Sequence, residues 1–196
     1  MDLVLAVSFL LLAAPAILAV AVAIRVHMGT PVLFCQERAG KGGRPFVLLK
    51  FRTMSAARNK AGNLLPDGER ITRLGHFLRE ASLDELPQLW NVVRGEMSLV
   101  GPRPLLLEYL PRYSPRQARR HEVMPGVTGW AQINGRNALT WEEKLSLDVW
   151  YVENWSLVLD ARILGLTFGR VCRRQDISPR GQATMAEFMG SGQRSE

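Results

Sequence analysis

Hydrophobic and polar positions divide the chain into an apolar head and a mixed remainder. Leu3–Ile24 carries no charge and a single hydroxyl, Ser8; as a straight helix it is about 33 Å long, enough to cross a bilayer. Pro15 stands inside this run, where it removes a backbone hydrogen bond and clashes with the preceding turn. The run therefore reads either as a span or as a re-entrant hairpin broken at Ala14-Pro15. A cleaved signal peptide fits poorly, because Asp2 stands where a basic segment belongs and the apolar stretch is too long. Arg25, His27, Arg38, Lys41 and Arg44 follow, which puts the globular part on the cytoplasmic side in either shape.

Behind the apolar head, Pro31–Glu37 and Pro45–Arg52 read as short strands separated by the turn-forming stretch Arg38–Arg44, a β-hairpin. Residues 55–69 read as an exposed loop or short helix, and Ile71–Glu80 as a helix. A second helix starts near Ser82–Pro87 and runs to Gly95. Gly101-Pro102-Arg103-Pro104 is a rigid loop, since its prolines fix φ. Glu108–His121, with Arg112, Arg116, Arg119 and Arg120 beside Tyr109 and Tyr113, reads as a membrane-surface helix. The glycines of Pro125–Asn137 either admit a ligand close to the backbone or simply make turns. Thr140 and Glu143 form a capping box opening a helix with Trp141, Trp150, Tyr151 and Trp155. Those rings suit the headgroup layer of a membrane or, equally, a core. Leu157–Arg174 continues as an apolar helix punctuated by arginines, and the tail after Gln175 reads as loosely ordered.

Composition narrows the partner. In 196 residues, 25 basic side chains against 18 acidic ones give a net charge of +7 and a pI near 10.1, so the partner is anionic: nucleic acid, an acidic membrane or a phosphorylated substrate. Nucleic acid is disfavoured, because no helix-turn-helix, RNP or zinc-finger pattern accompanies the charge. No P-loop or dinucleotide fingerprint is present either. Cys35 and Cys172 lie far apart, outside any CxxC spacing, which excludes a disulfide framework and points to free thiols.

Candidate chemistry centres on Asp84 and Glu85. Ser82 with Glu85 fits a capping box and Pro87 fits a first helical turn, so the two carboxylates read first as residues stabilised by the helix dipole. A membrane-attached basic protein gives them a second meaning. Asp84 is a candidate nucleophile toward phosphorus, and Glu85 a candidate Mg²⁺ ligand. Lys50, Arg79 and Arg103 are candidate phosphate-neutralising cations, although each alone is ordinarily a solvated charge.

Three long motifs sharpen this. Lys50-Phe51-Arg52-Thr53-Met54, the segment Ser82–Pro104 and the segment Pro125–Asn137 closely resemble the bacterial monotopic phosphoglycosyl transferases, in that family's order. The small size, and Gly181-Gln182-Ala183-Thr184 near the end, resemble the PglC-type subgroup of protein glycosylation. The resemblance implies an α+β, mainly helical fold: a re-entrant membrane helix (1–27), a catalytic domain (28–188) with a small β-hairpin and interfacial amphipathic helices, and a flexible tail (189–196). It implies a ping-pong reaction at the cytoplasmic face of the bacterial inner membrane. Asp84 would take a sugar phosphate from a UDP-sugar, N,N′-diacetylbacillosamine or a related N-acetylated sugar, releasing UMP. Polyprenyl phosphate, usually undecaprenyl phosphate, would then accept it. Glu85 stands at the Mg²⁺ position. Lys50, Arg79, Arg103, Arg136 and the acidic Asp160 stand at positions associated with substrate or phosphate. The family breaks its anchor at Ser-Pro; Ala14-Pro15 here lacks that hydroxyl. A non-catalytic module binding anionic lipid is the competing reading, and oligomeric state is left open.

Overall fold

The computed structural model describes residues 2–135, 139–173 and 187–190. The protein is mainly helical, with two small two-stranded sheets, in agreement with the α+β expectation. Arg136 and the Gly181–Thr184 motif lie outside the described residues.

Helix α1 (Asp2–Met28) continues through Pro15, and by length and composition it is sufficient to cross a membrane. Its side chains are sorted by face. Ala6, Val20 and Ile24 are buried, and Leu5, Leu10, Ile17, Ala21 and Met28 pack beside them on the body of the protein. Leu3, Val4, Leu11, Leu12, Leu18, Val22 and Val26 are exposed on the opposite flank. Both ends are fastened to the same body. Ser98 Oγ donates to Asp2 Oδ2 at 2.5 Å, and the Arg52 guanidinium donates to the carbonyls of Met28, Gly29 and Thr30.

The hairpin forms as expected, but its first strand is shifted two residues toward the C-terminus. Strand β1 (Leu33–Ala39) pairs antiparallel with β2 (Pro45–Phe51) around a 3-10 turn at Lys41–Gly43. Arg38 is thus a strand residue, not part of the turn. Opposed residues share a face, so the pairs Arg38↔Phe46, Gln36↔Leu48 and Phe34↔Lys50 align Arg38, Leu48 and Lys50 on one side of the sheet.

Short helix α2 (Asp67–Arg70) lies in the 55–69 stretch, and α3 (Arg73–Glu80) is capped by Thr72, whose hydroxyl accepts from Gly75 N at 2.9 Å. Gly75 is obligatory: a Cβ there would stand 1.8 Å from the Thr53 carbonyl oxygen, so the helix approaches the chain after β2 more closely than any side chain allows.

The helix expected at Ser82 begins later. Ser82 adopts a left-handed conformation (φ 55) and caps nothing, Leu83–Glu85 is a single 3-10 turn, and α4 (Gln88–Val93) follows with Pro87 as its N-cap. Asp84 and Glu85 therefore precede the helix, and the capping-box expectation is corrected. Helix α4 is tied to β2 by the fully buried Asn91. Its Oδ1 accepts from Leu49 N at 3.1 Å, and its Nδ2 donates to Val47 O and to Glu96 Oε2, each at 2.7 Å.

Strands β3 (Ser98–Val100) and β4 (Gly126–Thr128) pair in parallel. The glycines of the Pro125–Asn137 segment serve this junction: a Cβ on Gly126 would meet Gly101 N at 2.0 Å. What approaches the backbone there is other backbone.

The basic segment Glu108–His121 is not one surface helix. Pro111 and Pro115 divide it into a 3-10 turn (Leu107–Arg112), helix α5 (Pro115–Ala118) and a second 3-10 turn (Arg119–His121). Arg120, expected at a lipid surface, is instead buried against Asp148.

Helix α6 (Trp130–Ile133) leads to α7 (Trp141–Glu153), whose Thr140–Glu143 capping box forms as read from the sequence, and α8 (Leu157–Arg173) follows. The aromatic set divides. Tyr151 is core, Trp141 packs on Tyr109 and Phe188, Trp150 stacks on Trp130, and Trp155 is exposed. Leu157, Val158, Leu166 and Phe168 on α8 are exposed as well. The tail departs from expectation at Phe188, which is buried among Tyr109, Tyr113 and Trp141 and held by Arg112, which donates to its carbonyl oxygen and to Glu187.

Candidate active site

The Leu83–Glu85 turn, the end of β2 and the loop after β3 converge on one charge cluster. Lys50, on β2, donates to Glu85 Oε1 at 2.8 Å, and Arg103 donates to the same oxygen at 2.7 Å. Prolines on both sides of Arg103 restrict its backbone, and the carbonyl oxygen of Arg103 accepts from Arg120 Nη2 at 2.6 Å. Arg120 also gives Nε and Nη2 to Asp148 Oδ2, at 3.0 and 2.7 Å. The buried pair of Arg120, in the Arg119–His121 turn, and Asp148, on α7, therefore positions the loop that carries Arg103. Arg79, on α3, donates its Nε to Thr53 Oγ1 at 3.0 Å, and its charge acts on Asp84.

Asp84 is buried, and among the described residues no hydrogen bond or ion pair reaches its carboxylate. Burial, reinforced by the neighbouring Glu85 charge, pushes Asp84 up from 3.8 to about 6, while Lys50, Arg103 and Arg79 pull the other way. Glu85 behaves oppositely. Burial opposes its ionisation, but the charges and hydrogen bonds of Arg103 and Lys50 prevail and hold it well below the ordinary carboxylate range. Burial lowers Lys50, with Glu85 opposing, and the Glu85 charge raises Arg103. The adjacent carboxylates are thus shifted in opposite directions: Glu85 is a fixed anion, and Asp84 is the more basic of the two.

A divalent cation fits this donor set. Both basic partners contact Glu85 Oε1, and among the described residues Oε2 has no hydrogen-bond or ion-pair partner, which leaves it as the oxygen that could meet such an ion. One or two carboxylates completed by substrate phosphates is the usual provision for Mg²⁺. Among the described residues no cluster of three or more metal-ligating side chains exists, so a closed all-protein cage is not part of this site.

The sequence candidates thus separate. Lys50, Glu85 and Arg103 are in contact, and Asp84 and Arg79 are electrostatically coupled to them. Asp160 sits elsewhere in the hydrogen-bond network. It is buried, accepts from Tyr151 Oη at 2.7 Å and from Trp155 Nε1 at 3.1 Å, and burial raises it. Tyr151 also donates to Val100 O at 3.3 Å, one residue before the Gly101–Pro104 loop. Its surroundings are those of a brace between α8, α7 and β3. Arg136 lies outside the described residues. Sequence reasoning missed the Arg120–Asp148 pair, because basic periodicity around Arg120 mimicked a lipid-facing helix. It also missed Arg38, which lines the cavity beside Lys50 and Arg103.

Comparison with known proteins adds an independent line. The chain matches the bacterial sugar transferase family over residues 1–174. The uncharacterized sugar transferase EpsL of Bacillus subtilis is 53% identical over 191 residues, covering 97% of this chain and 95% of that protein. The UDP-galactose-lipid carrier transferase of Erwinia amylovora is 43% identical over 190 residues, covering 88% of this chain and 40% of the relative. The UDP-glucose:undecaprenyl-phosphate glucose-1-phosphate transferase of Caulobacter vibrioides is 41% identical over 174 residues, 84% of this chain and 65% of its own length. The chain thus spans nearly all of one relative and less than two thirds of the other two. With its charge cluster formed from the motif residues, it is a transferase and belongs to the bacterial sugar transferase family.

Proposed function

We propose that the protein transfers a sugar 1-phosphate from a UDP-sugar to polyprenyl phosphate, giving polyprenyl-diphosphate-sugar and UMP, through a covalent intermediate on Asp84. The observation that carries this reading is the pairing of a buried, raised carboxylate at Asp84 with an ionised Glu85 held by Lys50 and Arg103. An Asp84 oxygen attacks the sugar-linked phosphorus, the bond to the bridging oxygen breaks, and UMP leaves with that electron pair. A phosphate leaving group needs no general acid, because its second pKa is about 6. An oxygen of polyprenyl phosphate then attacks the same phosphorus and returns Asp84 as a carboxylate. Lys50, Arg79 and Arg103 offset the charge gathered around phosphorus. Glu85 would hold Mg²⁺, which supplies further neutralisation of the diphosphate when bound.

The exposed apolar flank of α1 supports attachment to one membrane leaflet. Asp2 and Met28, at the two ends of the helix, both contact the globular body, whereas a helix crossing a bilayer would carry one end to the far side, about 30 Å from that body. We read the helix as embedded from the cytoplasmic side, with the site near the lipid headgroups. The printed names of relatives favour UDP-glucose or UDP-galactose as donor, whereas the Gly181–Thr184 segment, by its resemblance to the PglC-type subgroup, favours an N-acetylated sugar. The hexoses are the first donors to test.

The deciding experiment is UMP release by purified protein supplied with undecaprenyl phosphate and a panel of UDP-sugars. Asp84→Asn abolishes turnover, a loss of at least about 10³-fold, in a protein that still folds. Labelled sugar phosphate is trapped on the wild type when acceptor is withheld, and chelation with EDTA stops release until Mg²⁺ is restored. Near-normal turnover by Asp84→Asn would sink the covalent mechanism.

A further inference from the structure

The face of the β1–β2 sheet that presents Lys50 also presents Arg38, and between them and the Arg103 loop lies a small open cavity of about 50 Å³. Arg38, Leu48, Lys50, Gln88, Arg103 and Leu105 line it. Its geometry is fixed by the backbone: Ala39 N donates to Leu105 O at 3.0 Å, so the residues after Arg103 are stitched to the end of β1, and both arginines line the cavity. Lys50 and Arg103 have Glu85 as their anion. Arg38 has none among the described residues. It donates Nη2 to the neutral Gln36 at 2.6 Å, and its buried Nε has no partner. Burial, with Arg103 alongside, lowers it to about 10, so it remains charged at neutral pH. An unpaired guanidinium and an unsatisfied buried N–H facing a cavity are costly unless an anion completes them.

We propose that this cavity seats the nucleotide-side phosphate of the donor and that Arg38 is the residue that binds it. The inference rests on the transferase reading above and adds a binding residue to it. Lys50 and Arg103 line the cavity, whereas Asp84 and Glu85 do not, so a diphosphate that reaches from Asp84 past this pair places its second phosphate there. A guanidinium offers the planar, two-pronged donor geometry that phosphate oxygens match. The same phosphate chemistry belongs to the polyprenyl acceptor, and ping-pong kinetics separate the two: kcat/KM for the donor reports only the first half-reaction, and kcat/KM for the acceptor only the second.

The test uses the full chain in detergent or nanodiscs, with UMP as the equilibrium probe, read by calorimetry or ligand-observed NMR. Arg38→Met weakens UMP binding by about tenfold or more, as loss of a charge-assisted hydrogen bond does, and lowers donor kcat/KM in parallel. Arg38→Lys retains part of both, and acceptor kcat/KM is unchanged. Leu105→Trp fills the cavity from its apolar wall without touching a charge and gives the same loss, which covers the case of Arg38→Met failing to fold. UMP affinity within twofold of wild type in Arg38→Lys and Leu105→Trp overturns the proposal. So does a fall confined to the acceptor, or a wild type that does not bind UMP. If UMP binds and depends on Arg38 while no UDP-sugar yields UMP, the cavity assignment stands and the transferase reading fails.

Discussion

Burying a carboxylate without a direct partner is unfavourable, and among the described residues Asp84 has no hydrogen-bond or ion-pair partner. With its pKa near 6 instead of 3.8, the folded protein holds a proton that the unfolded chain has released between these values. Its contribution to stability is therefore complete below about pH 4 and lost as pH rises through about 6. On the proposed mechanism activity has the opposite sign, because only the carboxylate would attack phosphorus. Donor kcat/KM should rise with pH on a limb of apparent pKa about 6, and thermal melts of Asp84→Asn at pH 8 should lie above wild type, the gap closing toward pH 4. At neutral pH the difference is up to about 3 kcal/mol. A flat kcat/KM profile from pH 5 to 8 would contradict the assignment. At this scale the sequence offers Lys50, Asp84, Glu85 and Arg103 as candidates through the residue types its motifs carry, and the fold gathers them into one cluster. Arg38 was not legible there: the stretch after Glu37 is so rich in turn formers that the strand was ended one residue before it. Only the register with β2 puts it on the face of Lys50.

The elements show what local pattern can and cannot specify. Thr140 and Glu143 opened α7 as read, because a capping box satisfies its own backbone donors locally. The same pattern at Ser82 and Glu85 failed because Glu85 answers to Lys50 and Arg103, both distant in sequence. Arg120 misled for a similar reason, its partner Asp148 being supplied by α7. This pair makes a prediction about elements. Asp148→Asn strands a buried guanidinium, costing about 3–5 kcal/mol, and the thermal midpoint should fall by roughly 10 °C. Replacing both partners, Arg120→Met with Asp148→Leu, should recover most of that midpoint, because an apolar pair of similar volume is often no less stable. Donor kcat/KM should stay depressed in the double variant, because Arg103 O has still lost its donor. Recovery of both together would show that the pair is only a stability element.

For the molecule as a whole, the open question is how α1 meets the lipid. The apolar run was plain in the sequence, but its path was not, because hydropathy carries no information about which flank packs against protein. Packing supplies it: Ala6 and Ile24 are both buried, near opposite ends of the helix, in clusters built from the same globular body. A span would remove Asp2 from Ser98 and expose the face of Ala6 and Leu10 to lipid, breaking contacts that both halves of the helix make. Topology should follow. With Cys35 and Cys172 replaced by Ser, an Asp2→Cys or Leu3→Cys variant in inside-out membrane vesicles should react with an impermeant maleimide to the same extent as a cysteine placed at the exposed Lys60. In right-side-out vesicles both should stay unlabelled until the membrane is permeabilised. Labelling of the N-terminal cysteine from the outer side alone would mean a span, and would require the contact between Asp2 and Ser98 to be absent in the membrane.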